Sequence, residues 1–294
     1  MKFKHFKFNA LFLILGILMG FLLTRYSGRI LTGQPNLGAP PKTNDGPEYS
    51  HRQPISPGDL TKLFPHLIVR RGNAQLPELA LTFDDGPDHK YTPQILDTLK
   101  KYKIKATFFV VGTQIQKNPA VFQRIIREGH EIGNHSYQHL KVSELSTAAI
   151  RFQLQKNNEI IRRSGGPKET NIFRPPYSAI DPASITTIGK QRYQIVLWTI
   201  DSLDWRALKK PQVEKNILPA IENGSIILQH CAADSKKEDL SGSVNCLPDI
   251  IRTAHQKGFR FVTISQLLKD KNIKVPPPTP PPVKIPNPEK ASPR

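Results

Sequence analysis

Leu79–Pro87 reads LALTFDDGP, an apolar run that stops at two adjacent carboxylates and a Gly-Pro turn. Leu79–Phe83 reads as a short strand with chemistry placed at its C-terminal end. Runs of the same kind recur at Lys105–Val111, Glu131–Asn134, Asn171–Phe173, Gln194–Ile200, Ser225–Leu228 and Phe259–Ile264. Helix-like stretches separate most of them: Pro93–Tyr102, Pro119–Glu128, Thr147–Arg163, Gln212–Glu222 and Pro248–Lys257. In Pro119–Glu128 the residues Val121, Phe122, Ile125 and Ile126 recur at helical spacing, and Gly129 closes the end. Strands alternating with helices imply parallel pairing through right-handed crossovers. About seven such units favour an α/β fold of the closed or nearly closed (β/α) barrel type over an open doubly wound sheet. No Gly-rich phosphate loop follows the first strand, which counts against nucleotide binding.

The unusual polar residues fall at the ends of successive strands. Asp84 and Asp85 follow Leu79–Phe83, and His135 and His139 follow Glu131–Asn134. Arg174 follows Asn171–Phe173, Asp201 follows Gln194–Ile200, and His230 follows Ser225–Leu228. In a barrel of parallel strands these ends share one face, the face on which active sites are built.

His135 and His139 stand at i, i+4, and two imidazoles at that spacing converge on one cation if the segment is helical or tightly turned. An H-x-x-x-H pair alone is weak evidence, and Ser136 stands where a zincin would carry its Glu. A third ligand has to come from elsewhere, and Asp85 is the best-placed carboxylate. Two imidazoles and a carboxylate leave a position open for water, as a catalytic metal site requires. Asp84 and Asp85 do not make a glycosidase pair, because those carboxyls stand about 5–9.5 Å apart across the scissile bond. One binding metal and one acting on water suits adjacent residues better. Without the histidines, Asp-Asp-Gly-Pro is an ordinary turn.

TFDDGP (Thr82–Pro87), HSYQH (His135–His139), RPPY (Arg174–Tyr177), DSLDW (Asp201–Trp205) and LQH (Leu228–His230) occur in the order of the polysaccharide deacetylase family, the NodB-homology domain of carbohydrate esterase family four. The resemblance covers Leu76 to Leu268. It implies a deformed (β/α) barrel with a divalent metal at its mouth, usually Zn2+, with Co2+ or another divalent ion as alternatives. By that resemblance Asp85, His135 and His139 are the metal triad, Asp84 is the general base and Arg174 holds it. The backbone N–H of Tyr177, after Pro176, resembles an oxyanion donor. His230 resembles the general acid, and Asp201 the carboxylate that orients and charges it. Trp205 and Leu228 resemble walls of the acetyl pocket, with plain core packing as the other reading of Trp205. Ser178 follows RPPY where many relatives carry glycine.

The implied reaction is hydrolytic removal of acetyl groups from an N-acetylated polysaccharide, peptidoglycan or chitin-like, giving acetate and a free amino sugar. An O-acetyl esterase with the same residues is the alternative, and a wall-glycan module without catalysis ranks last because every motif residue is present. Cys231 and Cys246 are the two cysteines of an apparently exported chain, so a disulfide is the leading expectation and two free thiols the alternative. His89 reads as an exposed loop histidine; His130 and His255 read as surface or capping residues.

The ends set the expected compartment. Lys2, Lys4 and Lys7 precede an apolar run from Ala10 to Leu23, the pattern of an export signal. The run is shorter than the ~20 residues that span a bilayer comfortably, yet no A-x-A-like cleavage site follows. An uncleaved membrane anchor at 1–26 is expected ahead of a cleaved signal peptide, with 27–75 as an extracytoplasmic linker that carries a short ordered stretch near Leu67 to Arg70. The catalytic domain is expected at 76–270, and 271–294 forms a proline-rich tail. Lys+Arg number 42 against 24 Asp+Glu, a formal net charge of +18. That field suits an anionic envelope; no nucleic-acid motif accompanies it. A monomer is expected.

Overall fold

The computed structural model describes residues 57–233 and 239–269. The N-terminal segment and the proline-rich tail lie outside the described residues, among which no helix is long and apolar enough to cross a membrane. Nine strands form one sheet: β1 (Ile68–Val69), β2 (Glu78–Asp84), β3 (Thr107–Val110), β4 (Glu131–Asn134), β5 (Ile172–Phe173), β6 (Gln194–Val196), β7 (Ile200–Asp201), β8 (Ser225–His230) and β9 (Arg260–Phe261). Their order is β1-β6-β5-β4-β3-β2-β8-β7, with β9 beside the start of β2. Every pairing is parallel.

The expected strand Gln194–Ile200 is two strands. β6 pairs with β1 and β5, whereas β7 pairs with β8. Between them Leu197 N–H donates to Val69 and Thr199 N–H to Ile226. One extended segment thus hands over from one side of the sheet to the other and curls it into the deformed barrel.

β2 is buried along its whole length, and its two faces do different work. Leu79, Leu81 and Phe83 pack outward against Ile95, Leu96 and Leu99 of the helix Tyr91–Tyr102 and Leu247, Ile250 and Ile251 of the helix Ser241–Gln256. Ala80 packs inward with Val69, Phe109, Val196 and Ile226. Side chains alternate along a strand, so Thr82 and Asp84 share the inward face of Ala80. In β8, Leu228 and His230 share that of Ile226. The alternation therefore delivers Asp84 and His230 to the barrel mouth from neighbouring strands, in register with one another.

Some expectations are corrected. The linker assigned to 27–75 ends earlier: a helix at Pro57–Leu63 belongs to the domain, as does β1 within the ordered stretch expected near Leu67 to Arg70, with Leu60, Phe64, Leu67 and Ile68 buried against Ile188 and Ile195. The helix placed at Pro248–Lys257 begins at Ser241, with Pro248 inside it. Asp239, just before it, accepts hydrogen bonds from the backbone and hydroxyl of Ser241, and the helix's apolar face, including Leu247, Ile250 and Ile251, is buried in the core despite the donor lost at Pro248. A helix at Pro182–Lys190 went unpredicted, although Asp181 and Ser184 form a reciprocal capping box at its start.

His130 is not a surface residue. It is buried, its ring meets the edge of Phe108 at 5.3 Å, and its Nδ1 accepts the Ala106 N–H at 3.2 Å. Burial lowers its pKa to about 4, helped by the charge of Lys105. Between pH 6.5 and 4 the unfolded chain therefore takes up a proton that the native state refuses, so stability drains away as the pH falls through that window. The expected loss is about 3 kcal/mol. Thermal unfolding of wild type and His130→Gln across pH 7 to 4 checks it: the variant should show a flatter decline.

Candidate metal centre and catalytic cleft

The sharp turns at the barrel mouth are built on strained backbone. Asp85 (φ 71), Ser136 (φ 67) and His139 (φ 58) are all left-handed, a conformation costing non-glycine residues roughly 1–2 kcal/mol each. Local bonds hold them there. The His135–His139 segment is a tight turn, not a helix. Ser136 N–H donates to Asn134 Oδ1 at 2.8 Å, and His139 N–H donates to Ser136 Oγ at 2.9 Å. Gln153, buried on the helix Thr147–Arg163, accepts the N–H groups of Tyr137 and Gln138 at 3.1 and 2.8 Å. Sequence reasoning did not single out Gln153, which acts at a distance of fourteen residues or more through two backbone groups.

These turns bring Asp85, His135 and His139 together. Asp85 Oδ1 lies 3.1 Å from His135 Nε2 and 3.0 Å from His139 Nε2. His135 Nδ1 must donate to the Arg174 carbonyl, 2.7 Å away, because a carbonyl only accepts. In the neutral ring that turns the Nε2 lone pair toward Asp85. Asp85 Oδ1 itself is buried without a well-formed hydrogen bond. An orphaned carboxylate oxygen facing imidazole nitrogens is the arrangement a cation completes, and these three donors lie within 4.8 Å of one another. The residues fit a divalent metal with an open position. His139 Nδ1 meets the Tyr177 hydroxyl at 3.1 Å, and the Arg174 carbonyl on His135 is an outer contact of the same kind.

Arg174 is fully buried and holds Asp84. Its Nη1 donates to Asp84 Oδ1 at 2.8 Å and to Thr82 Oγ1 at 2.7 Å, and its Nε donates to the Val196 carbonyl at 3.1 Å. The guanidinium stacks over Phe109 at 4.2 Å. With Nη1 taken up in this way, one Asp84 oxygen is fixed to Arg174 and the carboxylate is aimed at the cleft.

The partner of His230 corrects the reading of the DSLDW motif. Asp204, not Asp201, pairs with it: His230 Nδ1–H donates to Asp204 Oδ1 at 2.7 Å, and His230 N–H donates to Asp204 Oδ2 at 2.8 Å. Asp201 is aligned with Leu228, two residues short of His230. Leu203 in a left-handed conformation (φ 54) then turns the chain and carries Asp204 to the level of the imidazole. Burial would lower the His230 pKa; the Asp204 carboxylate, with Asp85 and Asp84, overrides it and raises it to about 10. Asp201 stays at the cleft, its carboxyl raised by burial and its Oδ1 accepting the Leu203 N–H at 2.9 Å.

A cleft of about 360 Å³ contains these groups, lined also by Tyr177, Trp198, Trp205 and Leu228. Trp205, 48% exposed, is a wall and not core packing, and Leu228, though buried, also lines the cleft. Pro175, rather than the buried Pro176, reaches the cleft. Tyr177 is 56% exposed with φ 57, and Ser178 takes φ 53, the conformation a glycine there would adopt without strain. The expected disulfide is absent. Cys231 and Cys246 are buried free thiols: the first contacts the Asp84 carbonyl at 3.3 Å, the second the Ser243 carbonyl of its own helix at 3.1 Å.

Comparison with known proteins agrees with this geometry. The family described as polysaccharide deacetylase matches residues 71–196. A peptidoglycan-N-acetylglucosamine deacetylase of Bacillus cereus is 40% identical over 194 residues, covering 65% of this chain and 68% of that protein. The peptidoglycan-N-acetylmuramic acid deacetylase PdaC of Bacillus subtilis is 35% identical over 189 residues, covering 64% of this chain and 38% of that one. A crystal structure of a peptidoglycan N-acetylglucosamine deacetylase superposes with a TM-score of 0.67 at 36% identity, over 71% of this chain and 96% of the other. With the motif residues gathered in one cleft and relatives of this similarity, the chain belongs to the polysaccharide deacetylase family.

Proposed function

We propose that this protein is a metal-dependent hydrolase that removes acetyl groups from N-acetylated cell-envelope polysaccharide, with peptidoglycan as the favoured substrate. The observation that carries the reading is the convergence of Asp85, His135 and His139 between a held base, Asp84, and a held acid, His230. Two nitrogens and one carboxylate oxygen suit Zn2+, and Co2+ would fill the same positions. When bound, the ion supplies a Lewis acid for the acetyl carbonyl and lowers the pKa of water. Asp84 removes the proton of the attacking water while Arg174 keeps one carboxylate oxygen in place. The backbone N–H of Tyr177 supports the developing oxyanion, a contact worth about 3 kcal/mol in comparable sites. His230 delivers a proton to the leaving nitrogen, with Asp204 fixing its ring. Trp205 and Leu228 exclude water from the acetyl methyl.

A protonated His230 favours amide over ester cleavage, because an amine must gain a proton before it leaves whereas an alkoxide is the better leaving group. The relatives named for N-acetylglucosamine and N-acetylmuramic acid deacetylation point to the same polymer. The basic charge and the N-terminal apolar run support action outside the cytoplasmic membrane, anchored to it and facing an anionic wall.

The test is product analysis with the purified protein on N-acetylglucosamine oligomers, isolated peptidoglycan and O-acetylated xylan. Free amines and acetate should appear together from the first two. A chelator should stop the reaction, and Zn2+ or Co2+ should restore it. Acetate from the ester substrate alone would overturn the N-deacetylase reading, and full activity in chelator would overturn the metal site.

A further inference from the structure

With Asp204 taking the place beside His230, Asp201 is left in the cleft without the task its motif suggested. We infer that Asp201 is a substrate-binding residue whose second carboxylate oxygen accepts a hydrogen bond from a hydroxyl of the sugar ring being deacetylated. The inference rests on the deacetylase reading and adds a specific contact to it.

Asp201 ends β7 and lines the same cleft as Asp84, Asp85, Trp205 and His230. It sits beside Leu228, one strand over from the acid. Its Oδ1 is used by the Leu203 N–H, and among the described residues no other group donates to this carboxylate. The neighbouring cations are committed elsewhere. Arg174 spends its Nη1 on Asp84 and Thr82 and its Nε and Nη2 on the Val196 and Leu197 carbonyls. His230 gives Nδ1 to Asp204. A half-buried carboxylate that accepts one protein hydrogen bond and opens on the cleft keeps its other oxygen for a donor from outside the chain. In a polymer of N-acetylhexosamine linked through C1 and C4, the ring offers two hydroxyl donors, at C3 and at C6. Either supplies the missing hydrogen bond, and a ring alkylated at that oxygen supplies none.

The other use of Asp201 is purely architectural, an Asx turn that sets the left-handed Leu203. Asp201→Asn separates the two, since its amide oxygen still accepts the Leu203 N–H while the second position loses its acceptor. Wild type and Asp201→Asn are compared on an N-acetylglucosamine tetramer and on its 3-deoxy and 6-deoxy analogues. One analogue should cost the wild type about tenfold in kcat/KM, a typical worth for a hydrogen bond to a charged group. Asp201→Asn should lose about tenfold on the parent and nothing further on that same analogue. Which analogue shows the coupling identifies the hydroxyl. The deoxy penalty is a ratio taken within one protein, so a partly unfolded variant leaves it unchanged. Deoxy penalties of equal size in both proteins, or an Asn variant as active as wild type on the parent, overturn the inference. No acetate from the parent with wild type instead removes the functional reading on which it stands.

Discussion

Asp84→Asn should lower kcat by about three orders of magnitude and also destabilise the protein, two effects with separate causes. The first follows from proton transfer: a positioned general base contributes about 10²–10⁴ in rate, and an amide cannot take the water proton. The second follows from Arg174. Its guanidinium is fully buried, and Asp84 is the carboxylate paired with it. Leaving a buried charge without its counter-ion costs about 3–5 kcal/mol. The retained amide oxygen can still accept one hydrogen bond, which places the loss toward the lower figure. The two effects separate in the double variant Asp84→Asn, Arg174→Met. Removing the orphaned cation should recover much of the melting temperature and none of the acetate release. Wild-type turnover by the single variant would deny Asp84 its role as base. Recovery of activity in the double variant would mean that the loss in the single variant came from the fold.

Asp204→Asn should lower kcat by about two orders of magnitude and move the high-pH limb of the activity profile downward. His230 must be protonated to serve as the acid, and the Asp204 carboxylate, at 2.7 Å, is the chief reason its pKa rises to about 10 against the pull of burial. Removing that charge lowers the pKa, so the imidazole loses its proton earlier as the pH rises and activity declines from a lower pH. The part contributed by Asp204 persists when Asp85 is engaged by a cation, because Asp204 bonds His230 through both of its oxygens. The same linkage acts on stability. A histidine whose pKa is raised on folding stabilises the native state in full below about 6.5, and that contribution is lost as the pH climbs toward 10. Wild-type stability should therefore decline on the alkaline side, and Asp204→Asn should decline less. A limb that stays in place while kcat falls would show that Asp204 only orients the ring.

That Asp84, Asp85, His135 and His139 would meet in one cleft was legible because their spacing is local to strand ends. LALTFDDGP and HSYQH each put their polar residues directly after an apolar run, and parallel strands bring such ends to one face whatever the loops do. The burial of His130 was not legible, since a histidine at a loop position gives no sign of the Phe108 ring that covers it. Nor was Gln153, which holds the His135–His139 turn from a separate helix. The two thiols illustrate the same limit: an expected export suggested a bridge, but each is used within its own surroundings.

Alternating short strands and helices determined the barrel, and the ordered motifs determined the family and the polar residues that meet in the cleft. Which of two aspartates serves His230 was decided by tertiary structure. Asp201 and Asp204 lie three residues apart in one motif and are chemically identical. Strand register aligns Asp201 with Leu228, and a left-handed residue at 203 swings Asp204 under the imidazole. Residue type and spacing along a chain specify which groups are available. The distance between a carboxylate and an imidazole on neighbouring strands depends on register and on the turn between them, and those are settled only when the strands pack.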